Sequence, residues 1–321
     1  MGERGPVLAV DIGGTKMAGG VTDPGGRLIS WSQVPTPQGA GAEELWRTLE
    51  SLLAGVLATA RLSEADLAGI GCGCGGPMEW PAGLVSPLNI PGWRGFPLRD
   101  RLRARFGSGG RIPVRVHNDA IAMVAGEHWR GAGQGKRDVL GIVVSTGVGG
   151  GLILDGRLVE GASGNAGHIG HVVIDPEDGP ACACGGRGCL EAIARGPGLA
   201  AWAHQQGWRP GEPAATARDL SADAGRGDAV AVAALRRAGR AVGIAIASAA
   251  SLCDLEVVAI GGGLSQAGAL LFDPLHEALA VHARLDFTRA VLVLPAALGQ
   301  QAGLVGAAAL ISAGGLYWNG D

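Results

Sequence analysis

VLAVDIGGTKMAGGVTDPGGRLISW, residues 7 to 31, sets an apolar run ending at Asp11, a Gly-Gly turn, a second run reaching Thr22, and an Asp-Pro-Gly-Gly turn into a third run. Short apolar runs punctuated in this way predict a β-meander. The plan recurs in VLGIVVSTGVGGGLILDGRLVEG, residues 139 to 161: a strand from Val139, the polar pair Ser145 and Thr146, a glycine-rich turn, another strand, and Asp155-Gly156 turning into a third. A unit repeated in each half of a chain predicts two related α/β domains with a cleft between them, where a ligand would sit.

Alternating elements fill the rest. Helical periodicity runs from about Glu43 to Ala60, a strand from Leu67 to Gly73, and a Pro- and Gly-rich loop from Gly75 to Pro97. The strand PVRVHN leads into a helix that begins at Asn118-Asp119 and runs through Trp129. Further helices are expected at 198–206, 228–252 and 302–312, with strands at EVVAIGGG and AVLVLPAAL.

Composition narrows the partners. The chain has 321 residues, 47% hydrophobic and 17% charged, with a formal net charge of -3, so it carries no basic footprint for nucleic acid and no polybasic segment for a membrane surface. A small-molecule partner is expected. The apolar run ahead of Asp11 is only four residues long, too short for the apolar region of an export signal. A cytoplasmic location is therefore expected, where thiols stay reduced, and a disulfide is disfavoured for ACACGGRGCLE at 181–191.

Several motifs carry chemistry. DIGGTK, with Asp11, Gly13, Gly14, Thr15 and Lys16, leaves backbone N–H groups uncovered between a carboxylate, a hydroxyl and a cation, which suits a phosphate; alone it is also an ordinary hairpin turn. Lys16 is one of two lysines among 26 basic residues. STGVGGG offers comparable equipment at Ser145, Thr146, Gly147, Gly149 and Gly150. No GxxxxGK[ST] pattern exists, and the GxGxxG at Gly71, Gly73 and Gly76 is followed by Pro77 and Pro81, which forbid the helix a dinucleotide needs. Asn118-Asp119 reads as a helix cap, or as the carboxylate that accepts a hydroxyl proton during phosphoryl transfer. Cys182, Cys184 and Cys189 supply three soft ligands, and His171 of GHIGH is the candidate fourth for a closed tetrahedral zinc.

Taken together and in order, DIGGTK, Asn118-Asp119 with Gly126-Glu127, STGVGGG, GHIGH, CACGGRGCLE and AIGGG resemble the ROK family of repressors and sugar kinases over essentially the whole chain. The resemblance implies an actin-like, hexokinase-type (ribonuclease H-like) α/β fold. Its domains would be 1–118, with a final helix at about 302–321 packing back, and 119–301, carrying the zinc loop. It implies ATP on the two turns and on Gly262 and Gly263, Mg²⁺ on the phosphates, and Asp119 as the base acting on a sugar 6-hydroxyl. Asn118, Asp119, His168, His171 and Glu191 would touch the sugar, while His171, Cys182, Cys184 and Cys189 would bind structural Zn²⁺. A homodimer or tetramer is also implied.

One departure bears on the substrate. Glucose kinases of the family carry Glu where this chain has His168, and exchanging an anionic acceptor for an imidazole alters which hydroxyls are favoured. The run from VSTGVGGG through GHIGH and DPEDGPACACGGRGCLEAIA is similar to that of bacterial N-acetylmannosamine kinases. N-acetylmannosamine is the expected substrate, with glucose or N-acetylglucosamine as the alternative. A sugar-responsive repressor is the competing class; with ten residues ahead of Asp11, no helix-turn-helix domain is expected.

Overall fold

The computed structural model describes residues 5–211 and 215–320. The first meander is β1 (Val7–Ile12), β2 (Lys16–Thr22) and β3 (Leu28–Pro35), each antiparallel to the next. Asp23 shapes the second turn by accepting the N–H groups of Gly25 and Arg27, both at 2.9 Å. Helix α1 (Ala42–Ala60) buries Leu45, Trp46, Leu49, Leu52, Leu53, Val56 and Leu57, a stripe at helical spacing. It stops at Arg61, which adopts the left-handed conformation at φ 56°.

Strand β4 (Gly69–Cys74) then runs parallel to β1. The stretch expected as a loop holds a small antiparallel sheet of β5 (Met78–Glu79), β6 (Leu84–Val85) and β7 (Phe96–Pro97), followed by α2 (Leu98–Phe106). Strand β8 (Val114–Asn118), parallel to β4, completes a sheet of order β3-β2-β1-β4-β8. Helix α3 (Asp119–Arg130) follows directly.

The second sheet repeats the plan. Strands β9 (Val139–Val144), β10 (Val148–Leu154) and β11 (Arg157–Leu158) form its meander. Helices α4 (Leu190–Ala194), α5 (Gly196–Gln205), α6 (Ala217–Gly225) and α7 (Ala229–Cys253) lead to β12 (Val257–Gly261). Helices α8 (Ala269–His282) and α9 (Asp286–Arg289) precede β13 (Leu292–Pro295), and the sheet order is β11-β10-β9-β12-β13. The chain closes with α10 (Ala302–Ser312) and α11 (Gly314–Tyr317).

By contact the chain forms two units. One comprises residues up to Arg137, Gly151–Ala166 and Ala297 onward; the other comprises Asp138–Gly150 and Gly167–Ala296. Helix α3 falls in the first unit, as does α10, which packs on α3, β1 and β4. That packing explains the glycines of GCGCGG: a side chain on Gly71 would be driven into the Ala307 carbonyl, and one on Gly306 into the Ala122 carbonyl. Cys72 and Cys74 point the other way, fully buried with Leu49, Leu53 and Phe106, as packing thiols. No helix follows Gly76, so this GxGxxG seats a helix and presents no pyrophosphate site. In the second unit α8 packs along α7. Among the described residues no helix is long and apolar enough to cross a membrane.

Candidate active site

The first unit gathers its candidates at the carboxyl ends of adjacent parallel strands, where open α/β sheets bind ligands. Asp11 pairs in register with Gly73, and Gly73 with His117, so Asp11 and the following pair Asn118-Asp119 leave the sheet side by side. Gly73 stands between them. A Cβ there would lie 3.3 Å from Asp119 Cα and 3.8 Å from Asp11 Oδ1, so the two acids close over a residue without a side chain. Asn118 Oδ1 accepts the Ala120 N–H at 3.0 Å and caps α3, and Asp119 Oδ1 accepts the same N–H at 2.8 Å. The cap and the candidate base are therefore sequence neighbours that converge on one backbone N–H. Burial, then the Asp119 carboxylate, raise the Asp11 pKa to about 7 against a smaller pull from Lys16.

The DIGGTK turn has its carbonyls occupied; Gly13 N–H donates to Lys16 O at 2.9 Å, and the next two amides are open. Thr36 Oγ1 donates to Gly13 O at 2.7 Å, Gln38 Nε2 to Gly14 O at 2.9 Å, and Thr36 N–H to Thr15 O at 3.0 Å. The N–H groups of Gly14 and Thr15 find no acceptor among the described residues, and they are the donors a phosphate would take. Lys16 Nζ reaches Gln33 Oε1 at 3.3 Å. Asn89, not singled out from sequence, lies against this turn: a side chain on Gly14 would strike its Cβ. Its only sequence signal was a place in the Pro-rich loop.

The second unit carries the matching turn. Ser145 N–H donates to Gly147 O at 2.8 Å, while Thr146 and Gly147 N–H groups have no acceptor among the described residues. Ser145 and Thr146 are exposed, whereas Gly149 and Gly150 lie within β10 beyond the turn. Gly261 pairs with Val143, which brings Gly262 and Gly263 beside the turn; a Cβ on Gly263 would be 4.0 Å from Ser145 Oγ.

The same unit holds the cysteine knot. Ligand atoms of His171, Cys182, Cys184 and Cys189 all lie within 4.8 Å of one another. Cys184 Sγ and Cys189 Sγ are 3.7 Å apart, and Cys182 Sγ lies 3.8 Å from His171 Nδ1. A tetrahedral zinc with bonds of about 2.0–2.3 Å spans its ligands by about 3.5–3.8 Å, so the group is compatible with a structural zinc. The backbone is built for it: Cys182 N–H donates to Gly186 O at 2.8 Å, and Gly188, at φ +69°, closes on the Asp175 carbonyl where any side chain would collide. With Nδ1 turned to the thiols, Nε2 of the exposed His171 ring faces away from them. His168 lies nearly parallel to it, with 13° between rings and 6.3 Å between centroids. Glu191, in the first turn of α4, accepts the Val148 N–H on Oε2 at 3.0 Å.

The model of the family described as "ROK family" matches residues 7–313. The chain belongs to the ROK family. Among ROK relatives, the "Glucokinase" of Halalkalibacterium halodurans is 33% identical over 314 residues, covering 95% of this chain and 94% of that protein. The "N-acetylmannosamine kinase" of Yersinia pseudotuberculosis is 36% identical over 304 residues, covering 95% and 97%. The ROK family glucokinase from Streptomyces griseus, solved in complex with glucose and AMPPNP, is 35% identical, with a TM-score of 0.80 over 96% of this chain and 99% of that one. The fold is accordingly the actin-like, hexokinase-type one of ROK sugar kinases.

Proposed function

We propose that this ROK protein is an ATP-dependent hexose kinase that transfers the γ-phosphoryl group to a sugar 6-hydroxyl, with N-acetylmannosamine as substrate. The observation that carries the transfer is the pair Asp11 and Asp119 at the ends of β1 and β8, beside a turn whose Gly14 and Thr15 amides are open. Transfer of a phosphoryl group needs positioning, charge neutralisation and one base. Asp119 is that base: as the sugar oxygen attacks the γ-phosphorus, its proton passes to the Asp119 carboxylate, and the bond from the γ-phosphorus to the bridging oxygen breaks so that ADP leaves. Asn118, the neighbouring cap, and His168, His171 and Glu191 orient the sugar.

The Gly13–Lys16 and Ser145–Gly147 turns, with Gly149, Gly150, Gly262 and Gly263, hold the nucleotide. Asp11 suits a hard divalent cation, because a desolvated carboxylate with a second carboxylate nearby is relieved by positive charge. Mg²⁺ held there would neutralise charge on the phosphate oxygens. Zn²⁺ on His171, Cys182, Cys184 and Cys189 would lock the loop that presents His168, His171 and Glu191.

The choice of sugar rests on His168. An imidazole can donate where the glutamate of glucose kinases only accepts, which supports a sugar whose acyl group offers an acceptor, and His171 lies nearly parallel to it with 6.3 Å between centroids. The glucose complex of the Streptomyces griseus relative, 35% identical, supports glucose as the second reading. A coupled assay giving kcat/KM for N-acetylmannosamine, N-acetylglucosamine, glucose and mannose tests both. N-acetylmannosamine should lead, and His168→Glu should move preference toward glucose. Phosphorylation of none of these sugars would overturn the kinase reading.

A further inference from the structure

Resting on the kinase reading, we propose that Glu191 is a positioning residue for the nucleotide, through which the cysteine knot sets the shape of the Ser145–Gly147 turn. Its carboxylate divides its work. Oε2 accepts the Val148 N–H at 3.0 Å, and a Cβ on Gly147 would lie 2.8 Å from that same oxygen. Oε1 takes no hydrogen bond from the described residues and stays open to a sugar hydroxyl.

The turn is anchored at both ends by consecutive helices. Glu191 of α4 holds the Val148 end, and the Gly196 N–H at the start of α5 donates to Ser145 O at 2.8 Å. The start of α4 is in turn fixed by the knot. Cys189 is the residue that caps α4, it bridges to Val173 as an isolated antiparallel pair, and the next residue, Leu190, donates to Val172 O at 2.9 Å. His171 directly precedes Val172, so a metal joining His171 to Cys189 fastens both segments two residues from Glu191. A change in the knot therefore reaches the open amides of Thr146 and Gly147 through one carboxylate, and sugar and nucleotide share that side chain.

The decisive measurement is AMPPNP affinity by calorimetry, with Mg²⁺ and without sugar, on the full zinc-loaded chain. E191A removes the acceptor and should weaken AMPPNP about tenfold, whereas E191Q keeps an amide oxygen for the Val148 N–H and should stay within about twofold of the unaltered chain. Gly147→Ala, which crowds Oε2, should weaken AMPPNP in the Glu191 chain and do so less in the E191A background; it decides the matter if E191A alone fails to fold. Equal AMPPNP affinity in the unaltered chain and E191A, or equal cost of Gly147→Ala in both backgrounds, would overturn the proposal and leave the kinase reading standing. An unaltered chain that does not bind AMPPNP would sink the kinase reading and this proposal with it.

Discussion

Leu298 donates its backbone N–H to Glu127 Oε1 at 2.8 Å, joining residues 171 positions apart in sequence. The carboxylate is fully buried, and its other oxygen accepts the N–H groups of Ala132 at 2.8 Å and Ala297 at 3.0 Å. Three backbone donors thus converge on one side chain at the end of α3. Glu127→Ala strands all three and should cost about 3–5 kcal/mol, since each buried donor left unsatisfied costs about 1–3 kcal/mol and partial rewetting recovers some of it. Thermal and urea unfolding of the variant would show it; an unchanged midpoint would contradict the clamp.

Asp11 makes stability depend on pH in an uncommon direction. Its folded pKa, about 7, lies above the unfolded 3.8, so between these values the folded chain holds a proton that the unfolded chain has lost. Stability then falls as pH rises through this window, by up to about 4 kcal/mol, and levels off above it. Asp11→Asn should raise the melting temperature more at pH 8 than at pH 5 when both are measured in EDTA. It should also abolish turnover with Mg²⁺. An equal gain at both pH values would remove burial of the acid as the cause.

Asp119→Asn keeps the size and a cap-like oxygen of the side chain but cannot take a proton. We expect kcat to fall by about 10²–10⁴ with sugar affinity little altered, the range for loss of a general base. Sugar binding by the inactive variant, followed by calorimetry, separates the two quantities. Turnover near that of the unaltered chain would take the base role away from Asp119.

Cys184→Ser exchanges a soft ligand for a hard one. Zinc content by elemental analysis should drop from one per chain toward none, and the KM for sugar should rise by about tenfold or more as the His168–Glu191 loop loosens. Full metal with an unchanged KM would show the four-residue group to be no metal site.

Local features were the legible ones. The two meanders were visible because each turn carries its own chemistry, Asp23 in one and Asp155-Gly156 in the other, and the knot because its cysteines lie within eight residues. The three-stranded sheet of β5, β6 and β7 escaped because each strand has two residues, too few for an alternating pattern, within a stretch dense in Pro and Gly. Helix α2 escaped for a different reason: LRDRLRARF is dominated by charge, and only Leu98, Leu102 and Phe106 mark its buried side. Asn89 against Gly14, and Glu127 on Leu298, are encounters between distant segments that no local period announces.

The boundaries between the two units fall at Arg137/Asp138, Gly150/Gly151, Ala166/Gly167 and Ala296/Ala297. Neither unit is therefore one uninterrupted piece of gene. A product ending before Ala297 would lack α10 and bare the faces of β1 and β4 on which Ala307, Ala308 and Ile311 pack. Its loss is not confined to the missing end: the unit that carries the DIGGTK turn cannot complete its packing until α10 has left the ribosome, so truncation ahead of Ala297 leaves its earliest strands uncovered as well.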